Sequence, residues 1–434
     1  MRLELADFPV TQVFLGNEFR YDSGTLEVDQ EELTRNIRQD RRVKDATLAV
    51  VVPGEKVRVT GVRDVVEPRF KVRGKGQVFP GILSPVAPVG DGRTHRLSGM
   101  AVVVAAEYEG TIRAGTAVQR SAILDMWGPG AEISRFSSQV NLVLILHLVQ
   151  GLPEIEAHAA IQRAECEVAR RLGEATTGQE PQRVEVFELE ESNASLPRVV
   201  LIQGCLTDSH HPHSGVGYYG LPIRDSLATT VHPNEFLDGA VTVDTTRAQA
   251  VYPTTWDWLN HPLLLGLYRE RSQRLNFVGV ILERIRFETH QGKEVIAQNT
   301  AQLAATLRAD AALVTWMASG NAFVDVMLTV RACEQRGIKT VLLTYEYGGR
   351  DGTDSPLLYY VPEADRVVST GSRDRWLELP APERVVGPSE QVHLLSYPGA
   401  PVVPAWNPLT LDARDIIIGG VDIWGRHSWT CSGY

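Results

Sequence analysis

Hydrophobic and polar positions follow two different rhythms along the chain, and the change falls near residue 130. Before it, short segments with a period of two, such as Leu3-Glu4-Leu5 and residues 56–62 and 70–72, are cut by Pro53-Gly54, Pro80-Gly81 and Gly90-Asp91-Gly92. Strands at such frequent turn spacing predict a barrel or sandwich, interrupted by one helix over 29–41. After a turn cluster at 125–131 the period becomes helical. A strand is expected over 140–149, then a helix over 153–172 whose Ile155, Ala159, Ile161, Ala164, Val168 and Leu172 form one apolar face, then a strand over 198–203. Farther on, residues 277–282, 311–316 and 340–344 are continuous aliphatic and β-branched runs, which suit strands covered on both faces. A helix over 324–336 separates the last two. The reading is an α/β protein with a β-rich N-terminal domain at 1–130, an α/β domain at 131–240 and a Rossmann-like parallel-sheet domain at 241–434.

In open α/β sheets, ligands collect beyond the carboxyl ends of the strands. Two loops occupy that position here, Ser319-Gly320-Asn321 and the stretch from Glu346 into Gly348 and Gly349. The candidate substrate-binding residues are therefore Asn321, Glu346, Gly349, Arg350, Asp351 and Gly352. Arg350 offers a bidentate grip on a carboxylate, and Glu346 or Asp351 could move a proton; turn formation alone also accounts for each glycine. Glu235 and Asp238 are further acid or base candidates, with helix-cap and turn duty as the alternative for Asp238-Gly239.

The 434 residues are enough for about three domains and a well-buried core. Forty-three Lys and Arg against fifty-three Asp and Glu give a net charge of −10, which argues against binding nucleic acid through phosphate neutralisation. The longest apolar runs, 140–149 and 100–106, are too short to cross a bilayer. No apolar signal run follows Met1-Arg2-Leu3-Glu4, so a cytoplasmic location is expected. Cys166, Cys205, Cys333 and Cys431 include no C-x-x-C pair, which excludes a disulfide framework and a self-contained dithiol centre. His210, His211 and His213 cluster around Pro212, but adjacent side chains rarely converge on one ion, so no metal is expected.

Several residue groups point further: Pro53-Gly54-Glu55, Asp64-Val65-Val66-Glu67-Pro68-Arg69, Phe79-Pro80-Gly81, Gly92-Arg93-Thr94-His95, Gly128-Pro129-Gly130-Ala131, Pro233 with Glu235, Asp238-Gly239-Ala240, Asn276-Phe277-Val278-Gly279-Val280-Ile281, and Tyr347 through Gly349-Arg350-Asp351-Gly352. In number, order and spacing they resemble, essentially end to end, the proprotein subunit of component B of the glycine, sarcosine and betaine reductases. The resemblance implies an oxidoreductase subunit that is not active alone. It would take part in reductive deamination of a small amino acid or betaine beside a selenocysteine- or cysteine-containing reductase subunit, which attacks the substrate's α-carbon and expels the amine.

The resemblance also implies self-cleavage before a cysteine shortly after Asp-Gly-Ala, leaving a pyruvoyl group. In this chain that cysteine's place falls on Thr246, or on Thr245 if the loop slips by one, and neither cysteine nor serine occurs between Ser226 and Ser272. Threonine can make the N-to-O acyl shift, but it would leave a 2-oxobutanoyl group. Thr245 and Thr246 thus mark the family's catalytic cleavage position, and no cofactor is assigned. The alternatives are a non-cleaved substrate-binding or scaffolding subunit, and a stand-alone enzyme using Glu346, Arg350 and Asp351. A betaine substrate calls for aromatic faces around its quaternary ammonium, for which Tyr218, Tyr219, Tyr252, Trp256, Trp258 and Trp316 are candidates.

Overall fold

A computed structural model describes residues 1–107, 122–190, 193–207, 215–223, 226–243, 252–286, 288–317, 320–349, 353–394, 402–426 and 430–431. The alternating N-terminal segments form two mixed sheets. One runs in the order Ala122–Asp125, Val57–Val66, Met100–Glu107, Val140–Leu148 and Val43–Val51, with Arg384–Val386 alongside Val57–Val66. The other runs Arg183–Glu188, Arg2–Pro9, Gly92–Ser98 and Arg69–Arg73. Each contains a parallel pair, Val140–Leu148 beside Met100–Glu107 and Arg2–Pro9 beside Gly92–Ser98.

Both strand orders are linear, so neither sheet closes into a barrel, and each parallel pair is joined by a longer connection than a tight turn. The helix Glu154–Glu174 covers them: its Ile161, Ala164, Val168 and Leu172 share one core with Phe8 of one sheet and Val102 and Leu142 of the other. Sheet pairing thus runs across residue 130.

The C-terminal part of the chain also returns to this region. Arg58, fully buried on Val57–Val66, makes a bidentate pair with Asp125 at 2.8 and 2.9 Å and donates to the carbonyls of Pro380, Ala405 and Asn407. Its fixed fork of donors satisfies the carboxylate and three carbonyls together.

The continuous apolar runs form the second half. Asn276–Ile285, Arg198–Leu206, Ala311–Trp316, Lys339–Glu346 and Val367–Ser372 lie side by side and parallel, in that order. Ala228–Val231 and Thr430–Cys431 pair antiparallel at the two edges of this seven-stranded sheet. Helices His290–Thr306 and Ala322–Glu334 make the crossovers. The βαβαβ pattern is present with one addition: Arg198–Leu206, from earlier in the chain, inserts between Asn276–Ile285 and Ala311–Trp316. At the far end of Ala322–Glu334, Glu334 accepts the Thr340 N–H at 2.6 Å and its hydroxyl at 2.8 Å, which turns the chain into the next strand. The architecture is mixed α/β, and no helix among the described residues is long and apolar enough to cross a membrane.

Candidate functional site

The segments 232–243 and 252–261 lie in a seam between the N-terminal sheets and the parallel sheet, and buried charges from Arg69–Arg73 hold them there. Helix Pro233–Leu237 starts with a capping box, in which Glu235 accepts the His232 N–H at 3.0 Å and the His232 ring accepts from Asn234. Burial pushes the pKa of His232 down to about 4, which keeps the ring neutral and able to accept. The carboxylate of Glu235 also accepts from Tyr218 at 3.0 Å and Tyr219 at 2.5 Å.

The helix ends at Asp238, whose buried carboxylate receives Lys71, Thr94 at 2.5 Å and the Gly90 N–H at 2.7 Å. Gly239 follows with φ of +80°, and a Cβ there would lie 2.8 Å from the Phe79 ring. Only glycine meets both demands. Asp238-Gly239 therefore performs cap and turn duty, and Phe79-Pro80-Gly81 packs on that turn.

Arg69, also fully buried, is paired with Glu67 and donates to the carbonyls of Leu237 and Leu259 and to Asn260 Oδ1. Leu237 and Leu259 are the last residues of helices Pro233–Leu237 and Thr255–Leu259. One guanidinium thus satisfies orphan carbonyls at two helix ends.

Beyond the turn, strand Val241–Val243 pairs with Val216–Tyr218 and is gripped at its last residue. The Val243 N–H donates to Thr255 Oγ1 at 3.1 Å, and its carbonyl accepts from Gln162 of helix Glu154–Glu174 at 3.0 Å. Thr255 in turn donates its hydroxyl at 2.5 Å and its N–H at 2.9 Å to the buried carboxylate of Asp64. Thr254 caps helix Thr255–Leu259 through Asp257, which pairs with Arg135. Burial works to raise the pKa of Asp257, but Arg135 and Arg426 outweigh it and hold the carboxyl below its ordinary range. Arg426 stacks over Trp256 at 4.6 Å and donates to the Asn260 carbonyl. His261 stacks on Trp424 at 3.8 Å and is kept neutral because burial takes its pKa to about 3.

At the carboxyl end of the parallel sheet, Tyr347 accepts the Gly320 N–H at 2.8 Å, so the two loops singled out in the sequence lie next to each other. Asn321 stands at the N-cap of Ala322–Glu334 without a side-chain cap bond. Glu346 ends its strand, and its carbonyl accepts from Arg373. Gly349 has φ of +67° and donates its N–H to Asp374 at 3.3 Å. Arg350, Asp351 and Gly352 lie outside the described residues, as do Thr245, Thr246 and the histidines 210, 211 and 213.

Among the described residues no cluster of His, Cys, Asp and Glu could hold a metal ion. Four of the six aromatic residues named for a cage are engaged elsewhere. Trp258 and Trp316 are core residues no more than 1% exposed, with Trp316 stacked on Tyr345 and bonded to Thr344. Tyr218 and Tyr219 spend their hydroxyls on Glu235.

Sequence reasoning missed Asp64, Lys71, Arg69, Gln162, Glu165 and Thr255 as parts of one assembly. Signals were present. Arg58, Arg63 and Asp64 interrupt a strand buried at every position, and Glu165 sits within the apolar stripe of its helix, four residues from Ile161 and three from Val168. Charged groups at core positions announce partners, though not which ones.

Four of the residue groups quoted above, those at 64–69, 79–81, 92–95 and 233–240, meet in this seam, and comparisons with known proteins extend the likeness along the chain. The family model for glycine/sarcosine/betaine reductase component B subunits matches residues 1–423. The chain is 32% identical over 398 residues to the glycine reductase complex component B subunits alpha and beta of Acetoanaerobium sticklandii, covering 89% of each. It is 32% identical over 406 residues to the sarcosine reductase complex component B subunit alpha of Peptoclostridium acidaminophilum, covering 91% of each. With the betaine reductase complex component B subunit alpha of the same organism it shares 32% over 400 residues, 90% of this chain and 88% of the relative. No solved structure matches. On a family match that spans the seam and both sheet systems, the chain belongs to the component B subunits of the glycine, sarcosine and betaine reductases.

Proposed function

We propose that this chain is the substrate-binding subunit of a glycine, sarcosine or betaine reductase-type complex in the cytoplasm, where a thiol or selenol of a partner subunit performs the reductive deamination. The observation that carries this is the state of its own thiols. Cys166, Cys205 and Cys333 are free and buried, and burial pushes each pKa up, that of Cys333 to about 12. A thiolate is the attacking form, so none of these three buried cysteines supplies the nucleophile, and in this reading it comes from the partner.

A pyruvoyl group does not fit this chain. It is made from a cysteine or serine, and none stands between Ser226 and Ser272. The subunit binds and presents the small amine or betaine without a covalent carbonyl. The parallel sheet serves as a Rossmann-like platform, with Asn321, Glu346, Gly349, Arg350, Asp351 and Gly352 facing the ligand. The adjacency of Gly320 and Tyr347 supports that placement, and Arg350 is the group suited to a substrate carboxylate.

The test is an intact mass before and after borohydride, followed by an assay with and without the thiol or selenol subunit. One species near 47.9 kDa, unchanged by borohydride and inactive until the partner is added, is expected. Two fragments dividing the chain at Thr245 or Thr246, the second reducible, would replace this reading with a covalent role for threonine. Turnover by the chain alone would replace it with a stand-alone enzyme.

A further inference from the structure

We propose that Arg426 is the centre of a small anion site beside the seam, one that takes the carboxylate head of a small acid. The site is a narrow cavity whose walls include Arg135, Asp257, Pro262, Asp422, Trp424 and Arg426. These residues come from parts of the chain far apart in sequence, so the cavity is built by the fold rather than by one loop. None of Asn321, Glu346 and Gly349 lines it.

Arg426 is a half-buried cation that makes no ion pair with any described residue. Its guanidinium lies over the Trp256 ring at 4.6 Å and gives one Nη2 proton to the Asn260 carbonyl at 2.6 Å. The protons on Nε and Nη1 have no acceptor among the described residues, and neither atom is shut off from solvent. The carboxylates in the cavity wall are already committed. Asp257 meets Arg135 at 2.7 Å on both oxygens and accepts the Thr254 N–H and hydroxyl at 2.8 Å. Asp422 accepts the backbone N–H of Arg426 at 2.8 Å, which leaves the guanidinium itself unpaired. Burial lowers the pKa of Arg426 and the Arg135 charge adds to this, against the pull of Asp257, Asp422 and Glu67. A cation held partly out of water without a partner is costly, and an anion in the cavity removes that cost.

Two further features of the wall favour an anion. Helix Pro262–Glu270 begins at the cavity with Pro262, has no side-chain cap bond from His261 and carries no acidic residue in its first turn. Its first N–H groups and the positive end of its dipole are therefore unanswered by a side chain. Trp424, only 3% exposed, lines the same cavity, and its indole N–H has no partner among the described residues. A guanidinium, a helix N-terminus and an indole N–H are all donors, and the flat guanidinium suits the two oxygens of a carboxylate. The cavity is too narrow for more than the head of a ligand. That chemistry is shared by a free acid such as acetate and by the carboxylate of a small amino acid.

Calorimetric titration of the full chain with sodium acetate at constant ionic strength, repeated in the presence of glycine, tests the site. Saturable binding is expected. Arg426→Gln should weaken it more than about tenfold, the loss of a hydrogen bond from a charged group. Trp424→Phe, which removes the N–H and keeps most of the packing, should weaken it about fivefold, and it decides the matter where Arg426→Gln does not fold. Glycine that displaces acetate identifies the ligand as an amino acid's carboxylate, and glycine that leaves acetate bound identifies a free acid; either supports the site. Absence of saturable binding by the folded wild type, or affinity unchanged in both variants, would overturn it. So would binding that survives Arg426→Gln and disappears in Arg350→Ala, because the anion would then sit at the strand-end loops.

Discussion

The seam and the parallel sheet both bury charge, and they handle it differently. In the seam, Lys71 meets Asp238 and Arg69 meets Glu67 and two helix ends, so each charge is answered by a counter-charge or by carbonyls. These contacts join positions far apart in the chain, 167 residues for Lys71 and Asp238. In the parallel sheet, Glu283 lies on strand Asn276–Ile285 and receives the Thr329 hydroxyl of helix Ala322–Glu334. Burial, with a smaller contribution from Asp325, pushes its pKa up to about 8, so it is a neutral acid over most of the physiological range. Beside it Lys293 and Asp325 form a buried ion pair between the two crossover helices. The difference is therefore one of span: that pair joins residues 32 apart on neighbouring helices whose packing an apolar pattern already sets, whereas the seam's pairs lock segments whose approach the local sequence does not dictate.

The sharpest way to break that contrast is Asp238→Ala. It leaves Lys71 buried without its partner and is expected to lower stability by about 3–5 kcal/mol, read as a fall in the urea midpoint. Replacing Lys71 by Met together with Asp238 by Asn should recover part of that loss; no recovery would show that the pair is not what the seam rests on. Gly239→Ala is next, because it combines a left-handed backbone with a collision at the Phe79 ring. About 3 kcal/mol is expected from strain and overpacking, checked by the same titration.

A smaller effect belongs to the parallel sheet. The folded-state pKa of Glu283 is raised, so its contribution is complete below the ordinary carboxylate range and is lost as pH climbs to about 8. Glu283→Gln should remove that alkaline decline, a difference on the order of 2 kcal/mol between mildly acid and alkaline buffer by the same linkage. A thermal midpoint that falls equally in both proteins would contradict the assignment of the proton. At the bottom of the range stands Lys56→Ala, which deletes the exposed pair with Glu383 at 2.7 Å. Its melting temperature should match the wild type, since exposed ion pairs are screened.

Much of the second half was legible. Ala311–Trp316 begins and ends where its apolar run does, because a strand buried on both faces needs no partner to declare it. The helix Glu154–Glu174 was legible from its stripe, of which Ile161, Ala164, Val168 and Leu172 are buried while Ile155 and Ala159 are exposed, because the buried face runs instead through Ala157 and Ala160. The N-terminal sheets were legible as strands but not as sheets. Alternation tells which face of Arg2–Pro9 is buried, while its parallel neighbour Gly92–Ser98 is decided by a crossover the alternation does not encode. Of the candidate ligand residues, Asn321, Glu346 and Gly349 were placed together by strand-end reasoning, and the Tyr347 hydroxyl supplies a bond between their loops.

By itself the sequence determined where strands and helices form, that Asp238-Gly239 makes a turn, and that no cysteine or serine stands near Thr245 and Thr246, since each of these depends on residues close together in the chain. Only the tertiary structure decided that Arg69 would cap two helices, that Lys71 would face Asp238, and that Thr255 would meet Asp64. The physical reason is that a charge or a carboxyl in the interior takes its value from what lies within a few ångströms. For these residues the neighbours come from parts of the chain that meet only when the sheets have closed over them.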